Sequence, residues 1–248
     1  MKIHKFHLKL LDPMFYSREG LAGAFTPSYL HATAINHAVA FSLNIDPANQ
    51  PYITTGSNGG RDIPRYENSK ATDSFYFTPA RLIGNLNYFG EIVKGDGDKY
   101  IQLGYGAIKL NGVPKSRKEA LKASKIFSIH PESVFEGYVL IFKEEILMPQ
   151  LIRLGSFRGK AELTLSNELK LSDKKMAGYV DHPVDPLITS PRKGRFVNML
   201  PYPIVDNAFC DNCLEVYDHG KKIYIALPEN YDIPTLEKIS ASKGMVIF

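Results

Sequence analysis

The chain has 248 residues, 44% of them hydrophobic, which is enough for a substantial core, and we expect residues 1–248 to form a single domain. No apolar run approaches the length of a membrane span, and the N-terminus begins a strand pattern where a signal peptide would need a continuous apolar block, so we expect a cytoplasmic protein without membrane contact. The formal net charge of +4 is too small to attract a polyanion by an overall field, so such a partner would have to bind to local clusters of cations.

The first predicted element is a strand over residues 3–11, in which apolar and polar residues alternate until Pro13 ends the pattern. An aromatic patch with two glycines follows, and Arg18 lies two residues after Tyr16. Arg18 beside this ring is a candidate RNA contact. A surface ion pair between Arg18 and Glu19 above buried aromatic residues explains the same pattern.

The spacing of apolar residues predicts a helix from Ser28 to Leu43, with Ser28 as the N-cap. Its expected buried face carries Leu30, Ala34, Ile35, Ala38 and Phe41. His31 and His37 are six positions apart, which is not the spacing of four at which two helical histidines share a metal ion. We therefore interpret both as ordinary surface or packing residues.

Residues 44–98 are rich in glycine, proline and polar side chains, and we interpret them as an extension inserted into the domain. Within this range, Arg61, Arg65 and Tyr66 would suit an extension that reaches over a nucleic-acid strand. A surface insertion without a binding role explains the same composition.

Two apolar stretches occupy the middle of the chain. Phe75 and Phe77 lie in a strand-like stretch and belong either to the core or to a surface that partners cover. Residues 134–142 form an almost continuous apolar run, which is too apolar for an edge strand and predicts a central one.

A glycine loop over residues 152–160 runs directly into a strand in which Ala161, Leu163 and Leu165 alternate with polar residues. Glycines permit the close approach of another backbone, and cations around an aromatic ring suit a phosphate-bearing strand with a base stacked on the ring. The candidate RNA-binding residues of this loop are Arg153, Gly155, Ser156, Phe157, Arg158, Gly159 and Lys160. The alternative is a cationic hairpin with a solvated surface. A nucleotide-phosphate loop is excluded, because its glycines would precede a helix.

Residues 172–248 are predicted to form a strand-rich C-terminal part, which includes a hairpin closed at residues 218–220. Cys210 and Cys213 form one pair, whereas a zinc site needs four ligands, and the nearest histidine leaves the set incomplete. We therefore expect no metal and no cofactor. A small metal-binding or metabolic protein built around this cysteine pair is the alternative from another functional class.

Three motifs together resemble a known family. They are Phe-Tyr-Ser-Arg-Glu-Gly at positions 15–20, Tyr-Leu-His at 29–31 leading into Ala-Val-Ala at 38–40, and Arg-Leu-Gly-Ser-Phe-Arg-Gly-Lys at 153–160. In this order, and over about the first two thirds of the chain, they resemble the Csc-one, or Cas-five-like, subunits of type I-D CRISPR effector complexes.

The resemblance implies an α+β fold with a ferredoxin-like, RNA-recognition-type (RAMP) antiparallel sheet as its core and one main helix after strand one. It also implies a subunit that caps the five-prime handle of the guide RNA (crRNA) in the surveillance complex (Cascade). Such a subunit bridges the large effector subunit, of the Cas-ten-d type, and the Cas-seven-like backbone subunits in antiviral defence. Target DNA near the PAM end is a further contact that the resemblance suggests. The glycine loop and the extension would face the RNA.

The resemblance further implies a chain without catalytic activity, because guide maturation in type I-D systems belongs to a different subunit. A metal-independent endoribonuclease of the same fold, which would cut CRISPR repeat RNA, is the alternative. Histidines, tyrosines and lysines sufficient for such chemistry are present, but the sequence does not bring them together, so no catalytic residue is assigned.

Overall fold

The computed structural model describes residues 1–16, 24–43, 74–94, 109–110, 113–114, 123–143, 146–155, 158–186, 188–199 and 203–228. The elements in chain order are β1 (Lys2–Leu10), β2 (Ala24–Phe25), β3 (Tyr29–Leu30), α1 (Ala32–Ser42), β4 (Phe75–Phe77), β5 (Ala80–Ile83), β6 (Tyr88–Lys94), β7 (Lys109–Leu110), β8 (Val113–Pro114), β9 (Ala123–Ile129), β10 (Val134–Ile141), β11 (Leu151–Leu154), β12 (Gly159–Glu168), β13 (Lys170–Tyr179), β14 (Lys193–Val197), β15 (Ile204–Asp218) and β16 (Lys221–Ala226). In this described part the fold is mostly antiparallel sheet with a single helix, α1, and no helix there is long and apolar enough to cross a membrane.

Seven antiparallel strands form the main sheet in the order β11-β12-β1-β10-β5-β3, and β4 also pairs with β10. The opening strand and the central strand of the sequence analysis are β1 and β10, which lie side by side in the middle of this sheet. β10 can occupy that position because a strand covered on both faces needs apolar residues at nearly every position.

The two faces of β10 belong to two different hydrophobic clusters. Phe135 and Val139 pack with Ile35 and the rest of the apolar face of α1. Tyr138 and Leu140, which point the other way, pack with residues of β15 and β16. The main sheet therefore lies between α1 on one face and the C-terminal strands on the other.

The remaining described strands form three smaller sheets. The C-terminal sheet has the order β13-β15-β14, with β16 paired to β15. The small sheet has the order β2-β9-β6, and β2 is parallel to β9. β7 and β8 form a two-stranded ladder. The predicted hairpin at residues 218–220 is the turn between β15 and β16.

The N-terminus of α1 differs from the prediction. The helix begins after His31, whose ring Nδ1 accepts a hydrogen bond from the backbone N–H of Thr33 at 3.1 Å, so His31 is the N-cap. Ser28 is not the cap, because Tyr29 and Leu30 pair with β5 as an extended strand. His31 is buried and has a capping role that the sequence pattern did not indicate.

The buried face of α1 also differs from the prediction. The buried residues are Ala32, Thr33, Ile35, Asn36, Val39 and Ala40. Phe41, expected in the core, is 70% exposed. Asn36 donates to the carbonyl oxygen of Phe77 and accepts from its N–H, both at 2.9 Å, so a polar side chain attaches α1 to β4.

Two strands of the main sheet, β4 and β5, come from the range 44–98 that the sequence pattern assigns to an extension. Both pair with β10. Phe75 and Phe77 are fully buried in the cluster beneath α1, so they are core residues. Where an extension begins and ends stays a prediction, because residues 44–73 lie outside the described part.

A buried carboxylate connects the main sheet to the C-terminal sheet. Asp206 in β15 accepts hydrogen bonds from Arg81 at 2.5 Å, Arg195 at 2.7 Å and the hydroxyl of Tyr29 at 2.9 Å. Burial alone would raise the pKa of Asp206, but these hydrogen bonds outweigh it and hold the pKa below its ordinary value. Asp206 therefore stays ionised at neutral pH and holds β3, β5 and β14 together.

His182 is a buried neutral histidine between the two sheets. Its Nε2 accepts from the backbone N–H of Ala226 at 3.1 Å, so Nδ1 carries the proton and donates to the carbonyl oxygen of Pro183 at 2.7 Å. The ring also packs edge-on against Tyr138. Burial lowers the pKa of His182 from 6.5 to about 4.

The buried histidine predicts a pH-dependent stability. The free energy of unfolding should fall by about 3 kcal/mol as the pH drops from 6.5 to about 4, because the unfolded chain binds a proton that folded His182 excludes. We expect His182→Gln to remove this part of the fall, measured by urea unfolding at a series of pH values. His130→Gln is the matched control, because exposed His130 makes the same 2.7 Å contact with a following proline carbonyl oxygen. Equal pH slopes for the native chain and His182→Gln would contradict the prediction.

Gly137 in β10 allows the ring of Phe6 to cross the strand. A Cβ at Gly137 would lie 2.7 Å from the Phe6 ring inside the core, whereas a Cβ at Gly178 would make only ordinary contact with Tyr224 at 3.7 Å. We expect Gly137→Ala to destabilise the chain by about 1–3 kcal/mol through overpacking, and Gly178→Ala to be nearly neutral. Denaturant unfolding of the two variants checks this, and equal effects would contradict it.

Candidate nucleic-acid interface

The glycine loop connects β11 and β12 as a tight hairpin. The strands pair in register from Leu151 opposite Glu162 to Leu154 opposite Gly159. The chain reverses with Gly155 at φ 75° and Arg158 at φ 54°, and the N–H of Arg158 donates to the carbonyl oxygen of Gly155 at 3.1 Å. Ser156 and Phe157 lie outside the described residues, so their predicted roles are not addressed by the geometry.

Both glycines of the loop face the segment that follows β1, residues 11–16, which we name the β1 exit segment. A Cβ at Gly155 would lie 2.8 Å from the backbone oxygen of Phe15, and one at Gly159 would lie 3.3 Å from Cβ of Asp12. The carboxylate of Asp12 also accepts from the N–H of Lys160 at 2.9 Å. The close approach that these glycines permit is therefore made by the chain's own backbone, and a role for them toward RNA stays a prediction.

Three cations of the loop are brought together at its surface. Arg153 and Lys160 are directly opposite each other in the hairpin, and Arg158 lies in the turn. All three are exposed, and Arg153 donates to the carbonyl oxygen of Arg158 at 3.2 Å. Within the described ranges none of the three forms an ion pair, so their charges are available to an anionic ligand.

The other predicted RNA-binding residues, Arg18, Arg61, Arg65 and Tyr66, lie outside the described residues. Arg18 nevertheless follows Phe15 by only three positions, and the backbone of Phe15 touches the glycine loop. The structure thus brings Phe15, the first residue of the first motif, next to the third motif, although the two are far apart in the sequence.

Two exposed rings, Phe25 and Phe196, are not among the RNA-binding residues predicted from the sequence. They are 55% and 73% exposed. Phe25 lies in a strand of two residues, which is too short to give any periodic signal. Phe196 follows a cationic stretch in β14, and that combination of an aromatic residue with cations was the signal that could have identified it.

The cysteine pair lies in β15, and both thiols are buried and free. The thiol of Cys213 donates to the carbonyl oxygen of Cys210 at 3.3 Å. A hydrogen bond with Cys213, together with burial, raises the pKa of Cys210, and the hydrogen bond with Cys210 lowers the pKa of Cys213. Among the residues with described placement, no group of three or more potential metal ligands occurs.

Comparison with known proteins gives a family and a structural likeness. A cryo-EM structure of a type III-B Cmr-beta complex bound to cognate target RNA and AMPPnP contains a chain that is 8% identical, with 89% of this chain and 86% of that chain covered and a TM-score of 0.38. No curated protein matches the chain. The family model described as type I-D CRISPR-associated protein Cas5/Csc1 matches residues 1–235, well beyond the first two thirds that carry the sequence resemblance. The chain therefore belongs to the type I-D CRISPR-associated Cas5/Csc1 family.

Proposed function

We propose that this chain is a non-catalytic RNA-binding subunit of a type I-D CRISPR effector complex. In this role it caps the five-prime handle of the crRNA and joins the large subunit to the backbone subunits, with target DNA near the PAM end as a further contact. Family membership supports the place in a CRISPR complex. The exposed cations of the glycine loop are the observation that supports RNA as the ligand.

The arrangement of the main sheet supports a ferredoxin-like core. In a βαββαβ unit the first strand lies between the third and the fourth, and the second lies outside the third. β1, β4 with β5, β10 and β12 have this order, and α1 lies between the first and second of them in the chain. Between β10 and β12, where the second helix would occur, the described residues form a stretch without regular secondary structure, followed by β11. We propose that the core is a variant in which this connection adds an edge strand.

The placement of the loop cations supports a phosphate-binding role. Arg153, Arg158 and Lys160 extend from a hairpin whose ends are fixed by the β12 ladder and by the contact with the β1 exit segment. A guanidinium or ammonium group held on a rigid element loses little entropy when it binds a phosphate oxygen. We assign the handle phosphates to Arg158 and Lys160, with Arg153 beside them and Phe157 either stacking on a base or wedging between bases.

Removing the loop cations should weaken RNA binding in a salt-dependent way. We expect Arg158→Ala combined with Lys160→Ala to lower the affinity for handle RNA and to reduce the slope of log affinity against log salt by about two, one unit for each lost phosphate contact. Fluorescence anisotropy at several salt concentrations measures both. Lys174→Ala combined with Lys175→Ala is the matched control, because these exposed lysines lie on β13 of the C-terminal sheet.

An unchanged slope in the loop variant, or an equal reduction in the β13 control, would show that the loop does not hold the phosphates.

Incubating the purified chain with repeat RNA in the presence of a chelator tests the absence of catalysis. Intact RNA is the expected result, and a discrete cut would indicate the metal-independent endoribonuclease instead.

The position of the glycine loop should depend on the absence of a side chain at Gly155. We expect Gly155→Ala to destabilise the chain by about 1–3 kcal/mol more than Gly84→Ala, because only the first adds a clash, with the Phe15 carbonyl oxygen, to the cost of positive φ. Gly84 is a matched control, since it has φ +82° and a Cβ added there would meet nothing within 4 Å. We also expect Gly155→Ala, but not Gly84→Ala, to lower the affinity for RNA. Equal losses of stability in the two variants would contradict the prediction.

A further inference from the structure

The small sheet holds two phenylalanine rings in a parallel stack. Phe25 in β2 is directly opposite Phe127 in β9, and their ring centroids are 4.2 Å apart with an interplanar angle of 3°. Stacked rings are less common in protein cores than edge-to-face pairs, and this stack lies at the surface. Phe25 is its outer member, with 55% of the residue exposed.

A third ring, Tyr88, lies beside the stack and does not cover the outer face of Phe25. The centroid of Tyr88 is 5.2 Å from that of Phe25 and 6.4 Å from that of Phe127. Phe25 and Phe127 are 4.2 Å apart, so the lines from the Phe25 centroid to the Tyr88 and Phe127 centroids meet at nearly a right angle. A ring resting on the outer face of Phe25 would be much farther from Phe127. Among the aromatic rings with described placement, only Phe127 covers a face of Phe25 by stacking.

The stack is held rigidly by hydrogen bonds around it. The hydroxyl of Tyr88 donates to the carbonyl oxygen of Thr26 at 2.8 Å, and the N–H of Thr26 donates to the carbonyl oxygen of Phe127 at 3.1 Å. These bonds hold the backbone of β2 against β9, and the contacts with Phe127 and Tyr88 orient the ring of Phe25. A fixed ring loses little conformational entropy when another flat group stacks on it.

The stack and the glycine loop are connected by the β1 exit segment. The backbone of Phe15 touches the loop at Gly155. Met14 exchanges backbone hydrogen bonds of 3.0 and 2.8 Å with the last residue of β9. The N–H of Tyr16 donates to the hydroxyl of Thr26, the residue after Phe25, at 3.3 Å. Cations that suit phosphates and an open ring that suits a base therefore flank one short segment.

We infer that Phe25, supported by Phe127, is a base-stacking platform for one unpaired nucleotide of the RNA whose phosphates the glycine loop holds. The inference rests on the proposed function and adds to it a second stacking position, on the small sheet. Every nucleobase has a π-face, so the platform accepts any base and adds affinity without sequence preference. The ring contacts no phosphate, so its contribution is independent of salt.

The test combines ring variants of the full chain with handle RNAs that carry one abasic nucleotide at each position in turn. For the native chain we expect one abasic position, near the nucleotides held by the glycine loop, to lower the affinity about tenfold. Phe25→Ala should lower the affinity for intact RNA by the same factor and show no further loss with that abasic RNA. The salt slope of Phe25→Ala should equal that of the native chain.

Two further variants separate stacking from folding. Phe25→Leu keeps apolar contact with Phe127 and removes the ring, so it should bind as weakly as Phe25→Ala, whereas Phe25→Trp should bind at least as tightly as the native chain. Phe89→Ala is the matched control, because Phe89 is 43% exposed and its β6 position pairs with Ser128, on the opposite face of the small sheet from Phe25. We expect the control to bind RNA normally.

The outcomes distinguish this inference from the proposed function. If Phe25→Ala and Phe25→Leu bind intact RNA as the native chain does while the Arg158 and Lys160 double variant is weakened, the platform is wrong and the capping role stands. If neither the ring variants nor the cation variant changes affinity, the proposed function itself fails. An equal loss in Phe89→Ala, or a loss of protein partners without a loss of RNA, also overturns the platform.

Discussion

The burial of β10 on both faces is the constraint on which the rest of the structure depends. Its side chains alternate between the core beneath α1 and the core beneath the C-terminal sheet, so the middle of the main sheet has no open face. Sheets of the RNA-recognition type bind bases on an open face. The RNA contact that we propose would therefore lie at the ends and edges of the strands, where the glycine loop and the small sheet are located.

The C-terminal sheet is attached to the main sheet by charge as well as by apolar packing. The Asp206 side chain is only 4% exposed, and it binds one guanidinium group from each sheet, Arg81 and Arg195. Both guanidinium groups compensate for the burial of this carboxylate, because an ionised group that is taken out of water needs opposite charges and hydrogen bonds. The C-terminal sheet is thus packed on the main sheet as a further layer, and the family match, which continues to residue 235, includes this sheet.

Elements defined by a local pattern could be predicted from the sequence, and elements defined by distant pairing could not. Alternation identified β1, an apolar run identified β10, and turn residues identified the β15–β16 hairpin. The predicted start of α1 was wrong, because His31 caps the helix and the preceding residues Tyr29 and Leu30 pair with β5. Phe75 and Phe77 lie in a strand of three residues, and their position in the fold is set by the pairing of that strand with β10.

The candidate interface could be predicted only in its local part. The glycines and the alternation after them indicated a hairpin with exposed cations, but the partner of Gly155 depends on the β1–β12 register, which brings residues far apart in sequence together. The same holds for Phe25, whose neighbour Phe127 is about a hundred residues away. Because the β1 exit segment touches the loop, β9 and Thr26, its packing sets the spacing between cations and ring. The proposed interface therefore predicts that RNA affinity depends on backbone contacts in residues that need not touch the RNA.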